Sequence, residues 1–294
     1  MSAAVNQKYK GVLCIIVSAF CFAFMNAFVR LSGDLPSIQK SFFRNLVAFF
    51  FALIILIRSK EKINVTKESV PYLLLRSIFG TLGILCNFYA VDHLVLSDAS
   101  MLNKMSPFFT ILFSFLFLKE RLTAFQTVSV IIAFLGSLFI IKPTFANLDL
   151  LPSLLGLLGG IGAGAAYTMV RKLGSLGVKG PFVVFFFSGF SCAVTLPFLI
   201  FNYVPMTWVQ LLTLLGAGIA AAGGQFSITA AYYYAPAREI SVYDYSQIIF
   251  AALLGFILFG QIPDALSFLG YIIIIGVAVV MFWYNNRKNE KSAG

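Results

Sequence analysis

Ten long apolar runs constrain this chain more than any other feature of its sequence. Each is close to the length of about 20 residues that an α-helix needs to cross the hydrocarbon core of a membrane. They lie at about 11–31, 37–58, 71–91, 97–118, 124–142, 152–172, 181–201, 208–233, 239–260 and 265–284. Because 60% of the 294 residues are apolar and only 11% are charged, the soluble globular, disordered and nucleic-acid-binding classes are excluded. The runs predict an all-α integral membrane protein with ten transmembrane helices.

The Lys and Arg residues predict the orientation of these helices. Cytoplasmic segments of membrane proteins are enriched in both residue types, which accounts for a net charge of +10 without a polyanionic partner. With the N-terminus inside, fifteen of the 21 cations fall in cytoplasmic segments: Lys8, Lys10, Arg58, Lys60, Lys62, Lys67, Lys119, Arg121, Arg171, Lys172, Lys179, Arg238, Arg287, Lys288 and Lys291. The outer segments and helix ends hold Arg30, Lys40 and Lys142. Both termini are therefore predicted to be cytoplasmic, in a cytoplasmic membrane of bacterial type.

The chain divides into two halves of five runs, 11–142 and 151–285, which align at an offset of about 141 residues. At this offset Val29 lies over Val170, and Asn103 lies over Asp244. An odd number of helices per half turns the second half upside down, and inverted repeats of this kind build the midplane sites of many secondary transporters. The halves predict two inverted five-helix repeats, although any ten-helix chain can be divided into fives.

Several short motifs recur in the order and spacing of a known family. They are Phe43-Arg44-Asn45, Arg76-Ser77-Ile78-Phe79-Gly80, Asn87-Phe88-Tyr89-Ala90, Ser97-Asp98-Ala99, Ser106-Pro107-Phe108 and Leu118-Lys119-Glu120-Arg121-Leu122. The second half echoes part of this pattern with Tyr234-Ala235 and Ser241, but it has Gln261 where the first half has Glu120. Over essentially its whole length the chain resembles the EamA-like domains of the drug/metabolite transporter superfamily. The resemblance implies a ten-helix carrier with a central cavity that moves small metabolites by alternating access, but it does not fix the substrate.

Four ionisable side chains fall deep within the predicted spans: Arg44, Arg76, Lys104 and Asp244. A charged group at this depth is costly and usually faces a cavity or a partner. At about 1.5 Å per residue, Arg44 and Lys104 lie about 10 Å below the outer surface, and Arg76 and Asp244 about 7–8 Å above the inner one. This estimate favours an ion pair between Arg76 and Asp244, or a snorkelling Arg76. It disfavours a bridge between Lys104 and Asp244, whose levels differ by about 12 Å.

At the outer level, Arg44 and Lys104 have no buried acid beside them. The hypothesis is that a carboxylate or phosphate of the substrate lies between them; water, Asp98 reaching in from span 4 and internal hydrogen bonds are the alternatives. At the inner level, Asp244 is a candidate protonation site that couples transport to a proton gradient, since carboxylates in spans recur in proton relays. A structural ion pair is the alternative.

The candidate substrate-binding residues are polar side chains within the spans, namely Asn26, Arg44, Asn87, Asn103, Lys104, Tyr167, Gln225, Tyr243, Asp244 and Gln247. Asn103 and Lys104 on span 4 occupy places equivalent to those of Tyr243, Asp244 and Gln247 on span 9. Inverted-repeat carriers place substrates between such symmetry-related segments. Hydrogen bonds across helix interfaces are the alternative role for the amides.

Other motifs carry little chemistry. Cys14, Cys21, Cys86 and Cys192 all fall within spans without metal-site spacing, and the single histidine, His93, falls in an outer loop. No metal, cofactor or catalytic residue is therefore expected, and the protein is predicted not to be an enzyme. Two series of small residues indicate close helix packing: Gly156, Gly160 and Gly164 on span 6, and Gly216, Ala220 and Gly224 on span 8.

These features predict a secondary active transporter of a small metabolite, with an amino acid or a related anionic or zwitterionic compound as the hypothesis. The expected partners are this substrate, membrane lipids and a proton or exchange substrate, with no nucleic acid, in a monomer or homodimer. The alternatives are a carrier of cationic or nucleoside-like metabolites recognised through Asp244 and the tyrosines, a passive channel, and a membrane-embedded enzyme. The direction of transport stays open.

Overall fold

A computed structural model of the chain describes residues 2–59, 65–118, 123–141, 149–235 and 240–293. These residues form eleven α-helices and one short 3₁₀ turn, with no strand among them. The helices are α1 (Ser2–Leu31), α2 (Ser37–Ser59), α3 (Ser69–His93), α4 (Leu96–Asn103), α5 (Ser106–Leu118), α6 (Ala124–Ile141), α7 (Leu150–Ser175), α8 (Gly180–Asn202), α9 (Trp208–Tyr234), α10 (Ser246–Phe259) and α11 (Ala265–Ala293). Several residues used above lie outside the described ones: Lys60, Lys62, Lys119, Glu120, Arg121, Leu122, Lys142 and Arg238.

Eight segments of the described chain are long and apolar enough to cross a membrane, which confirms the prediction of an all-α integral membrane protein. They are Tyr9–Leu31, Ser37–Ser59, Ser69–His93, Leu96–Phe117, Leu150–Ser175, Gly180–Asn202, Trp208–Tyr234 and Ala265–Tyr284. The predicted spans 5 and 9 correspond to two shorter apolar stretches, Thr127–Ile140 within α6 and Tyr243–Phe259, which includes α10.

Predicted spans 4 and 9 both lose regular helical geometry inside the protein. Span 4 consists of α4 and α5, which are separated at Lys104 and Met105. Pro107, in the first turn of α5, lacks the N–H that would continue the hydrogen bonding of α4. Span 9 opens with the 3₁₀ turn Ser241–Tyr245 before α10 begins. The two irregular segments therefore include Lys104 and Asp244.

The helices pack in a pattern that follows the two repeats. In sequence order, α1, α2, α3, α4–α5 and α6 correspond to α7, α8, α9, α10 and α11. The packing of α1 against α9 has its counterpart in that of α7 against α3, and the packing of α5 against α7 has its counterpart in that of α10 against α1. In the pairs α2–α8 and α6–α11, each helix packs against its own counterpart in the other repeat. The core is thus formed between the repeats rather than within each one.

Glycines on α7 and α9 allow the closest of these approaches. A Cβ atom at Gly160 would lie 2.5 Å from the carbonyl oxygen of Leu102, and one at Gly164 would lie 2.8 Å from that of Ser106. On α9, a Cβ at Gly224 would lie 2.5 Å from the Phe22 ring. The packing role predicted for the small residues is confirmed, and α7 lies directly against the break between α4 and α5.

Candidate functional site

A cavity of about 50 Å³, lined by both polar and apolar side chains, lies between the two repeats. Its walls come from α1, α2, α3, α4, α7, α8, α9 and α10, so both repeats contribute. The lining residues are Phe22, Met25, Asn26, Arg44, Arg76, Gly80, Gly83, Ile84, Asn87, Asn103, Ala163, Ala166, Tyr167, Phe187, Gln225 and Gln247. No Asp or Glu of the described chain belongs to this lining, although two arginines do.

Arg44 enters the cavity from α2 and is completely buried. Its Nε donates to the sulfur of Met25 over 3.4 Å, and its Nη1 donates to Oδ1 of Asn45. Asn45 is itself anchored, because its Nδ2 donates to Oγ of Ser191 on α8 over 2.8 Å. The third guanidinium nitrogen of Arg44, Nη2, has no hydrogen-bond partner among the described residues.

Arg76 enters the cavity from α3 and is 2% exposed. Its Nη2 donates to Oε1 of Gln225 over 2.8 Å, and its guanidinium carbon lies 4.0 Å from the centre of the Phe187 ring. Gly80, one turn further along α3, leaves room for this side chain, because a Cβ there would clash with Nη1 of Arg76. The Nε of Arg76 has no hydrogen-bond partner in the described part of the chain. We call Arg44 and Arg76 the cavity arginines.

Two amide oxygens of the cavity lining also lack partners within the described residues. They are Oδ1 of Asn87 on α3 and Oε1 of Gln247 on α10. The amide nitrogen of Asn87 donates to Oδ1 of Asn26 over 3.3 Å. The residues that line the cavity therefore include two guanidinium donors and two amide acceptors without a partner among the described residues.

Lys104 and Asp244 form a buried ion pair outside the cavity lining. Lys104 Nζ lies 2.7 Å from Asp244 Oδ1, and the two side chains are 2% and 0% exposed. The expectation that these residues lie too far apart to pair is therefore wrong, as is the expectation that Lys104 has no acid beside it. The expected pairing of Arg76 with Asp244 is also wrong, because Arg76 binds Gln225 instead.

The depth estimate fails because it compared backbone positions on straight ideal helices. In the structure, the helix is interrupted at Lys104, and Asp244 lies in a 3₁₀ turn, which rises more per residue than an α-helix. Lysine also carries its charge on a long, flexible four-carbon stem, whose length the estimate ignored.

The remaining candidate residues are divided between the cavity and its surroundings. Tyr167 lines the cavity, and its ring lies 5.3 Å from that of Tyr232. Tyr243 does not line it and packs against Phe282, with 5.5 Å between ring centres. Asp98 does not reach Arg44, because it accepts a hydrogen bond from the hydroxyl of Tyr271 over 2.5 Å.

Of the residues predicted to bind substrate, the cavity is lined by Asn26, Arg44, Asn87, Asn103, Tyr167, Gln225 and Gln247. Lys104, Tyr243 and Asp244 lie outside its lining. Sequence reasoning missed Arg76 as a cavity residue and assigned it to an ion pair, although its charge within a span was the signal that marked it. The apolar walls formed by Phe22, Met25 and Phe187 carried no distinguishing signal among so many apolar residues.

The described residues contain no group of three or more His, Cys, Asp or Glu side chains that could hold a metal ion. The four cysteines are free and are spread over α1, α3 and α8. The cavity lining itself offers amide and phenol groups for hydrogen bonds and two guanidinium charges.

Membrane transporters typically consist of many membrane-spanning helices in two repeats with a cavity between them, and this protein has that arrangement. The profile of the EamA-like transporter family matches residues 9–142 and 150–283, and the chain belongs to this family. The profile therefore matches twice, once in each half of the chain. The family and its named members are transporters, in agreement with the prediction that the protein is not an enzyme.

Similar proteins cover almost the whole chain. The pseudopaline exporter CntI of Pseudomonas aeruginosa is 33% identical over 273 residues, which are 92% of this chain and 95% of that protein. The riboflavin transporter of Vibrio cholerae is 25% identical over 299 residues, 97% of each chain. A crystal structure matches with a TM-score of 0.64 and 16% identity, over 98% of this chain and 99% of the other, and shows the same fold.

Proposed function

We propose that this protein is a secondary carrier that moves a small amino acid or a related zwitterionic metabolite across the cytoplasmic membrane. The observation that carries the proposal is the pair of cavity arginines, whose Arg44 Nη2 and Arg76 Nε lack partners within the described residues. A buried cation is stable only when it is paired or well hydrogen-bonded. A substrate carboxylate would satisfy both guanidinium groups through charge-assisted hydrogen bonds.

The neutral acceptors favour a zwitterion over a simple anion. Asn87 Oδ1 and Gln247 Oε1 are both buried and unsatisfied among the described residues, and each can accept a hydrogen bond from an ammonium group. The aromatic rings of Phe22 and Tyr167 border the same cavity and can face a cation. The alternative of a purely cationic substrate bound by Asp244 is disfavoured, because Asp244 is paired with Lys104.

The size of the cavity supports transport by alternating access. At about 50 Å³ it is far smaller than the pockets of roughly 300–1,000 Å³ that bind small molecules. The cavity arginines are at most 2% exposed, so both side chains are shielded from solvent in this conformation. The repeats must separate to admit a substrate, and their corresponding contacts allow the same movement toward either side. The similarity to an exporter favours export as the direction.

Thermal unfolding of the purified protein with a library of small molecules tests the proposed substrate class, because a ligand stabilises the folded state by mass action. The library contains the standard L-amino acids, the amines that lack the carboxylate and the acids that lack the amine. We expect the largest stabilisation from a zwitterion, a smaller one from its acid and none from its amine. Stabilisation by amines alone would contradict the proposal.

Transport itself is tested in liposomes loaded with the stabilising amino acid. A carrier exchanges the external labelled compound for the internal unlabelled one and shows a transient accumulation. A passive channel equilibrates without this overshoot, and that result would contradict the carrier.

A further inference from the structure

The buried Lys104–Asp244 pair connects the two repeats where each loses regular helical geometry. Lys104 follows α4 at its break with α5, and Asp244 lies in the 3₁₀ turn before α10. The pair lies beside the cavity wall, because Lys104 Nζ is 6.0 Å from the ring centre of Phe22. Asn103 and Gln247, close to either partner in sequence, line the cavity directly. A movement that opens the cavity between α4 and α10 would therefore also pull on this ion pair.

Asp244 depends on Lys104 to an unusual degree. Beyond the 2.7 Å contact with Lys104 Nζ, neither of its carboxylate oxygens has a hydrogen bond from the described residues. Buried carboxylates that stay ionised ordinarily collect several donors. If Lys104 moves away, the carboxylate is left in an apolar interior without compensation, and taking up a proton removes that cost.

The other groups around Asp244 do not replace Lys104. Phenols from two packed helices and from its own turn lie nearby: Tyr167 on α7, Tyr232 on α9 and Tyr245. On the sides of α1 and α11, the rings of Phe22 and Phe282 border the pair and its turn. Neutral phenols and apolar rings cannot neutralise a carboxylate, so among the described residues Lys104 supplies the counter-charge.

We propose that Asp244 is the proton-binding site that couples transport to a proton. The carboxylate is ionised while Lys104 contacts it. When the repeats part, one proton from the aqueous phase forms the O–H bond of a neutral carboxylic acid, while Lys104 keeps its own proton. The reverse step releases the proton and restores the pair. This inference needs no assumption about the substrate and stands independently of the proposed zwitterion.

Hydrogen–deuterium exchange of the full chain in lipid nanodiscs tests the proposal with the proton as the only ligand. We compare residues 96–106 and 241–250 at about pH 5 and about pH 8, after correction for the intrinsic exchange rates. In the wild type, we expect both segments to exchange about tenfold faster at the lower pH, because protonation releases the pair and opens them locally. Asp244→Asn, which resembles the protonated acid, should exchange fast at both pH values.

The matched control is the second ion pair of the described chain, in which Lys40 Nζ lies 2.6 Å from Asp92 Oδ1. Asp92→Asn should keep the wild-type pH dependence in both segments. If Asp244→Asn fails to fold, the double variant Lys104→Met with Asp244→Leu replaces the pair by apolar side chains and should show no pH dependence. A wild type without pH dependence, or an Asp244 variant that retains it, would overturn the proposal.

Discussion

Two groups of buried charge lie close together in this protein, and they differ in what balances them. The cavity arginines are held by neutral groups, an amide in each case, and each keeps a nitrogen without a partner among the described residues. Lys104 is held by a carboxylate at 2.7 Å, in a contact that joins the two repeats. An unbalanced charge is available to a ligand, whereas a balanced one holds the protein together until something neutralises it. Because buried charge is costly, the unbalanced cavity arginines are suited to binding a ligand, whereas the balanced Lys104–Asp244 pair is suited to responding to a proton.

The cavity arginines and the Lys104–Asp244 pair should differ most in how much they contribute to stability. Lys104→Met removes the counter-charge of the buried Asp244, and at about pH 8, where neutralising a carboxylate is itself costly, we expect the free energy of unfolding to fall by about 3–5 kcal/mol. The double variant Lys104→Met with Asp244→Leu should recover most of this loss. Unfolding in mixed micelles by titration with SDS measures both. In Lys40→Met the remaining Asp92 is 18% exposed, so the loss should be smaller. Equal losses in the two single variants would remove the distinction between the pairs.

Replacing the cavity arginines should affect substrate affinity more than stability. Arg44→Ala and Arg76→Ala each remove a charge that no acid of the described cavity lining balances, and this gain offsets part of the loss of the arginine's own contacts. Stability should therefore fall by less than in Lys104→Met, while substrate affinity falls. The loss of one charge-assisted hydrogen bond costs about 1.5–3 kcal/mol, or roughly tenfold to a hundredfold in affinity. Thermal shifts measured over a range of amino acid concentrations give this affinity. An arginine variant with unchanged affinity would place the anion site elsewhere.

Gln225 tests how Arg76 is held. Gln225→Leu removes the acceptor that lies 2.8 Å from Arg76 Nη2 and leaves a second guanidinium nitrogen without a partner. We expect a loss of about 1–2 kcal/mol in the free energy of unfolding. Binding of the amino acid should recover part of it, because the ligand carboxylate supplies a new acceptor. The comparison of unfolding with and without ligand measures this recovery, and its absence would argue against contact between ligand and Arg76.

The smallest expected change in stability is that caused by replacing Phe187, whose ring lies beside Arg76. Phe187→Leu keeps the wall apolar but removes the face that lies 4.0 Å from the guanidinium carbon. A desolvated cation–π contact is worth about 0.5–2 kcal/mol, so stability should fall by about 1 kcal/mol. Phe49→Leu is the control without a cation, because the Phe49 ring on α2 stacks on the ring of Phe185, which lies on α8 like Phe187. A similar loss in both variants would show that only packing matters at Phe187.

The sequence alone predicts much of this fold because membrane spans are long and apolar and because family motifs recur at fixed spacing. Span 9 contains less regular α-helix than predicted, since apolar character alone does not reveal where a regular helix begins. The apolar run from residue 239 includes a 3₁₀ turn up to Tyr245. Amides such as Asn87 and Gln225 could be predicted as cavity residues, because a polar side chain in a span needs a partner or a cavity.

The pairing of the charges could not be predicted in the same way. A depth calculation treats each span as a straight rod, and it therefore paired Arg76 with Asp244. The break at Lys104, the rise of the 3₁₀ turn and the length of the lysine side chain together bring Lys104 to Asp244 instead. Each of these is a local departure from ideal geometry that depends on packing, such as the approach of Gly160 to the carbonyl of Leu102.

The central claim is that the cavity arginines bind the substrate, whereas the Lys104–Asp244 pair does not. It is tested most directly by the thermal stabilisation that one amino acid produces in two double variants. Arg44→Ala with Arg76→Ala should lose the stabilisation, and Lys104→Met with Asp244→Leu should keep it at the wild-type size. If the arginine variant kept its stabilisation and the variant without the ion pair lost it, the account would be contradicted.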